Sequence, residues 1–162
     1  MASNPTMKVA VILQRESLGN RWASHQWQLL GVVPDIGGAP RTLVDTPNAL
    51  QRIHPGFDVT LFPDEAEGYF LNVSSEAPSV FVSIRHQEDS GEAYPFQCTL
   101  SYNEAARWMD GSEWVERALA WPELVEWMAR WVEANYRREP RRRQKPQSFE
   151  GKEGVLREKG KS

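Results

Sequence analysis

The stretch "SVFVSIRHQEDSGEAYPFQCTLSY", residues 79–102, has the pattern of two strands around a polar turn. Val80, Val82 and Ile84 recur at every second position, the spacing of a strand with one buried face. Residues 87–95, "QEDSGEAYP", are polar and turn-rich, and "FQCTLSY" (96–102) returns as a second strand. Moving towards the N-terminus, "KVAVILQ" (8–14) and "WQLLGVVP" (27–34) are rich in apolar and β-branched residues. "DVTLFP" (58–63) alternates Val59 and Leu61 with Asp58 and Thr60. "EGYFLNVSS" (67–75) places Tyr69, Leu71 and Val73 two apart, which predicts one more strand. "PDIGGAPRT" (34–42) is a loop by its Pro and Gly content.

No helical pattern of 10–15 residues separates these runs, so the expected sheet is antiparallel rather than parallel. The expectation is about six short strands forming a partly open barrel or a small sandwich. After Tyr102 the period changes. "SYNEAARWMDG" (101–111) predicts a short helix capped by Asn103 and ended by Gly111. Trp108, Trp114 and Trp121 are expected to follow one another through this helical region and to pack it onto the sheet. Pro122 opens the strongest helix, with Leu124, Val125, Met128, Trp131, Val132 and Asn135 on one face and an end near Tyr136. The fold class is therefore α+β: one β-rich domain over residues 1–136 with two or three C-terminal helices, and a disordered basic tail over 137–162.

Charge divides at the same boundary. Residues 1–136 carry 9 Lys/Arg against 18 Asp/Glu, whereas 137–162 carry 10 against 4. An acidic body disfavours phosphate contact, so any polyanion affinity belongs to the tail. Apolar runs fall far short of the ~20 residues a spanning helix needs, and the N-terminus lacks the pattern of a signal peptide. The lone cysteine, Cys98, excludes an internal disulfide and a cysteine-based zinc cluster. These features lead to an expectation of a cytoplasmic protein without membrane contact.

Catalytic chemistry finds little to stand on. His25, His54 and His86 lie in separate segments without metal-ligand spacing. Cys98 sits within an alternating strand and is expected to be a buried thiol. The glycines of "DIGGAPRT" do not match a phosphate-binding loop, and there is no nucleophile elbow. Asp64 with Glu65 and Asp89 with Glu92 fall in turns, where carboxylates are ordinarily solvated. Neither a catalytic residue, a metal site nor a cofactor is expected. The more informative stretch is "NRWASHQWQLLGVVPD" (20–35), where Trp22, His25 and Trp27 precede a strand. Aromatic side chains at such an edge suit protein binding. With Arg141, Arg142 and Arg143 of the tail, they form the expected protein-binding set.

Four segments in order, "QRESLGNRWASHQWQLLGVVP" (14–34), "EGYFLNVSSEAPSVFVSIR" (67–85), "CTLSYNEAARWMD" (98–110) and "PELVEWMARWVEANY" (122–136), resemble a bacterial family classed as a domain of unknown function. Its members are encoded beside formate dehydrogenase subunits and maturation factors, and some carry the label molybdopterin-guanine dinucleotide synthesis protein. The resemblance implies a non-enzymatic accessory or binding protein that assists assembly of a molybdenum- or tungsten-dependent formate dehydrogenase. Its partner would be a dehydrogenase subunit or another maturation factor. The alternatives are an enzyme handling molybdenum-cofactor nucleotides and a nucleic-acid-binding module acting through the tail.

Overall fold

The computed structural model describes residues 3–19 and 25–137. Among these residues, seven strands form two open antiparallel sheets, and three α-helices, the last of them following all the strands, complete an α+β fold. The first sheet contains β1 (Thr6–Ser17), β2 (His25–Pro34), β3 (Arg41–Asp45) and β4 (Ala49–Thr60) in the order β2-β1-β4-β3. The second contains β5 (Ser79–His86), β6 (Ala93–Thr99) and β7 (Trp114–Leu119) in the order β6-β5-β7. Helices α1 (Ala66–Val73), α2 (Tyr102–Asp110) and α3 (Pro122–Asn135) lie between and after these strands. The disorder expected of 137–162 falls, from Arg138 onward, outside the described residues.

The core lies between the sheets. Val9, Val11 and Leu13 of β1 take alternate positions and are fully buried, as are Val80 and Val82 of β5. Tyr69 of α1 and Leu124, Met128 and Val132 of α3 belong to the same cluster. Burial at this level supplies the main favourable term in folding, roughly 25 cal/mol per Å² of apolar surface. Two irregularities adjust the pleat. Ile12 pairs with Gly31 and Leu13 with Leu29, leaving Leu30 as an extra residue in β2. That bulge lets Leu29 and Val32 both pack against the core while Leu30 stays exposed. In β4 the Pro55–Gly56 step falls between His54, which pairs with Val11, and Phe57, which pairs with Val9. Gly56 has φ +90°, a conformation that favours glycine. Its N–H donates to Asp35 Oδ2 at 2.9 Å, while Gly37 N–H donates to Asp35 Oδ1 at 2.7 Å.

Several sequence expectations are corrected. Residues 67–75 are not a strand: Ala66–Val73 form α1. The two-residue spacing of Tyr69, Leu71 and Val73 is coincidental, since Leu71 is exposed and the buried set is Ala66, Gly68, Tyr69 and Asn72. Tyr69 and Asn72, three apart, fall on one helical face, and both make buried polar contacts. The Tyr69 hydroxyl donates to Thr60 O and accepts from Phe62 N–H, each at 3.0 Å. Asn72 Nδ2 donates to Ser79 O at 2.8 Å and Leu100 O at 2.9 Å, and its Oδ1 accepts from Ser79 N–H at 2.9 Å. Trp114–Leu119, expected within a helical region, is β7, an alternating strand. The N-cap of α2 is Ser101, not Asn103, because Ser101 Oγ accepts from Glu104 N–H at 3.0 Å. The opening at Pro122, the end near Tyr136 and the buried face of Leu124, Met128 and Val132 match the sequence expectation for α3, whereas Asn135, expected on that face, is exposed in the last turn.

Two substitutions test this frame. Asn72→Ala should lower stability by about 3 kcal/mol in denaturant melts, because it strands buried backbone groups of Ser79 and Leu100. Gly68→Ala should also destabilise, since a Cβ there would meet Ser101 Oγ at 2.0 Å. Matching the unaltered melt with either variant would contradict the packing described.

Candidate binding groove

The registers within the second sheet assign its two faces different roles. Val80, Val82 and Ile84 pair with Ala118, Glu116 and Trp114, and this set faces the core. Ser79, Phe81 and Ser83 pair with Leu119, Arg117 and Val115, and this set faces outward. Helix α2 covers part of the outward face, because its cap at Ser101 follows directly from the end of β6. Between α2 and the outward side of β7 lies a groove of about 300 Å³. Phe81, Val115, Glu116 and Arg117 contribute from the sheet, and Tyr102, Ala105, Ala106 and Met109 from the helix. That volume is at the lower end of the roughly 300–1,000 Å³ of small-molecule sites.

The groove is apolar at its base and open at its rim. Met109 and Tyr102 are 52% and 48% exposed, and Tyr102 stands edge-on to Phe81 with centroids 6.1 Å apart. Arg117 lies over the Phe81 ring at 5.1 Å. Its Nε donates to Ser79 Oγ at 3.2 Å and its Nη2 to Ala77 O at 3.1 Å. Beside it, Glu116 is committed to the other face: its Oε1 accepts from Leu29 N–H at 2.9 Å and its Oε2 from Trp114 Nε1–H at 2.8 Å. The Leu29 bond occupies a backbone donor on β2, the outer strand of the first sheet, so Glu116 ties the two sheets together.

A polar cluster anchors the start of α2. Glu65 accepts from Ser101 Oγ at 2.6 Å and pairs with Arg107, and Thr99 Oγ1 donates to Glu104 at 2.6 Å. Glu65, with Ser101 and Arg107, holds α2 to the segment before α1, and Thr99 with Glu104 holds it to the end of β6. Glu65, expected to be merely solvated, is therefore a structural partner. Glu92 likewise pairs with Arg52 at 3.4 Å. Arg85 and Glu113 pair at 2.8 Å, and the Arg85 and Ser83 hydrogen bonds hold the Glu113 carboxyl below its usual range.

The sequence-derived set is only partly visible. Trp22 and Arg141, Arg142 and Arg143 lie outside the described residues. His25 opens β2, is exposed and pairs with Ser17, while Trp27 pairs with Arg15, whose guanidinium lies 5.9 Å from the Trp27 ring centroid. His25 and Trp27 share one face of β2, and Trp27 is half-buried against the core. His25, His54 and His86 are on β2, β4 and β5, and no cluster of three metal-binding side chains occurs among the described residues. Burial, with the nearby Arg52, pushes His54 below its ordinary range. His86 stacks on Trp114 at 5.3 Å. Trp114, Trp121 and Trp131 pack against the core as expected, and Trp127 joins them, whereas Trp108 does not belong to that cluster.

The groove residues Tyr102, Met109 and Arg117 went unrecognised in the sequence. Their signal was the alternation of Val115, Arg117 and Leu119, which is visible only when "WVERAL" is taken as a strand. Among the described residues, no helix is long and apolar enough to cross a membrane.

A model for a protein of unknown function, DUF3305, matches residues 8–145. The chain belongs to the DUF3305 family. The match takes in both sheets and all three helices from Lys8 onward, so the groove lies wholly within the family domain. No curated protein matches the chain, and no solved structure does.

Cys98 and Tyr69 provide checks on this DUF3305 domain. Burial pushes the Cys98 thiol up to about 12, so native protein at pH 8 should react with a disulfide reagent far more slowly than unfolded protein. Burial also pushes Tyr69 up to about 12, against about 10 when unfolded. The folded state therefore keeps its phenol proton where the unfolded state loses it. That contribution is complete below pH 10 and is lost as pH rises from about 10 to 12. Ultraviolet titration should show one tyrosine ionising last, together with alkaline unfolding.

Proposed function

We propose that this DUF3305 protein is a non-enzymatic accessory factor that binds another protein through the groove between α2 and β7. The observation that carries the reading is the conjunction of exposed Tyr102 and Met109 with Arg117 over one apolar floor. Tyr and Arg concentrate binding energy at interfaces, and Met adapts its shape to a partner. The proposed partner is a subunit or maturation factor of a molybdenum- or tungsten-dependent formate dehydrogenase. Support for that identity is the sequence resemblance, and the proposed compartment is the cytoplasm. The end of β2, with exposed His25 and half-buried Trp27, is proposed as a secondary contact.

Affinity purification of the full chain from its native host under mild salt tests both parts. A dehydrogenase subunit or maturation factor should co-purify in near-stoichiometric amount. Met109→Glu places a charge in the groove at an exposed position, so it should leave the melting temperature nearly unchanged while lowering recovery at least about tenfold. Absence of those proteins refutes the named partner. Unchanged recovery with Met109→Glu refutes the groove as the docking surface.

A further inference from the structure

We infer that the groove takes a segment of a partner protein in which a bulky apolar side chain is flanked by a carboxylate, and that Arg117 recognises the carboxylate. This rests on the groove being the docking surface proposed above.

The charge pattern favours this occupant. Residues 1–136 carry twice as many acidic as basic side chains, 18 against 9. Several arginines of that body are answered by a carboxylate: Arg52 by Glu92, Arg85 by Glu113, Arg107 by Glu65 and Arg130 by Glu126. Arg117 has no carboxylate within ion-pair distance among the described residues. Its partners are a hydroxyl, a carbonyl and the face of Phe81, none of which carries a formal negative charge. The adjacent carboxylate, Glu116, is held by Leu29 N–H and Trp114 Nε1–H on the opposite face of the sheet.

The same contacts hold the guanidinium in place before a partner arrives. Bonds from Nε and Nη2 occupy two of the five guanidinium donors and fix the plane over Phe81. Ordering a free arginine opposes ion pairing at a surface, and these two bonds meet part of that cost in advance. The remaining donors suit a carboxylate, which accepts two parallel bonds from such a fork. Beneath it, Phe81, Ala106 and Met109 offer apolar contact. A cationic segment would meet like charge, and a polyanion such as RNA would face the acidic body. An apolar side chain beside a carboxylate satisfies both halves of the groove.

Two blocked peptides serve as probes, each with two leucines flanking a central residue that is glutamate in one and glutamine in the other. Both are titrated into the full chain while methyl and amide NMR signals are followed. The Met109 methyl and the Ala105 and Ala106 amides should shift with both peptides, and at low salt the glutamate peptide should bind about fivefold more tightly, the worth of a partly exposed ion pair. Arg117→Gln should equalise the two affinities. Because Arg117 also braces β7 against Ala77, a second readout uses the unaltered protein: raising the salt from 50 to 500 mM should erase the glutamate preference. Equal affinities in the unaltered protein at low salt would overturn the role of Arg117 and leave the groove as a docking surface. No shift at the groove from either peptide at millimolar concentration would overturn the docking surface itself. Shifts that track protein concentration without peptide would identify a second copy of the chain as the occupant and overturn the inference.

Discussion

The amide of Asn72 joins three parts of the chain that are distant in sequence. From one helical position it receives the N–H of Ser79 and donates to the carbonyls of Ser79 and Leu100. These groups lie at the start of β5, where Ser79 pairs with β7 but precedes the pairing with β6, and just beyond the end of β6. A buried unpaired backbone group costs free energy comparable to a lost hydrogen bond. One side chain removes that cost for both ends of the hairpin and docks α1 on them. Tyr69, one turn earlier on the same face, does the equivalent for Thr60 and Phe62 at the end of β4. Helix α1 thus joins the first sheet to the second, as Glu116 of β7 does from the other side.

The groove depends on that joint. Asn72 holds Leu100, and Ser101, the next residue, caps α2 and bonds Glu65 before α1. Gly68 permits α1 to approach this cap closely, since any side chain there would collide with Ser101. Helix α2 is therefore set against β5 and β7 by polar contacts at its first turn, and its second half, with Met109, projects over the outward face of the sheet. Consecutive residues of β7 then face opposite environments. Glu116 joins the sheets on the inside, and Arg117 stands in the groove on the outside. A one-residue slip of β7 would exchange them and lose both.

Much of the fold was legible in the sequence because burial leaves a periodic trace. Val80, Val82 and Ile84 marked β5, and the face of Leu124, Met128 and Val132 marked α3. Where the trace misled, a competing period was present by coincidence. In 67–75 the apolar residues stand two apart, but the positions that matter are Tyr69 and Asn72, and Asn72 has no place in a hydrophobic pattern. Residues 49–57, with Gln51, Arg52 and His54 among apolar neighbours, lack the alternation that marks a strand. Arg52 and His54 nevertheless pair with buried Leu13 and Val11 of β1, and Arg52 is answered by Glu92 from the turn that leads into β6. A polar residue at such a position becomes readable only when its partner is known.

The sequence by itself determined an antiparallel α+β domain, an acidic body and a closing amphipathic helix, since each follows from local spacing or composition, whereas the thiol of Cys98, expected to be buried, is only partly so. Trp27 was recognisable as a residue before a strand, though its half-buried place under Arg15 was not. Tertiary structure alone decided that 66–73 is a helix, that 114–119 is a strand, and that Tyr102, Met109 and Arg117 surround one groove. The reason is the same in each case. These features depend on hydrogen bonds and faces shared between segments tens of residues apart, and no local window of sequence contains both partners.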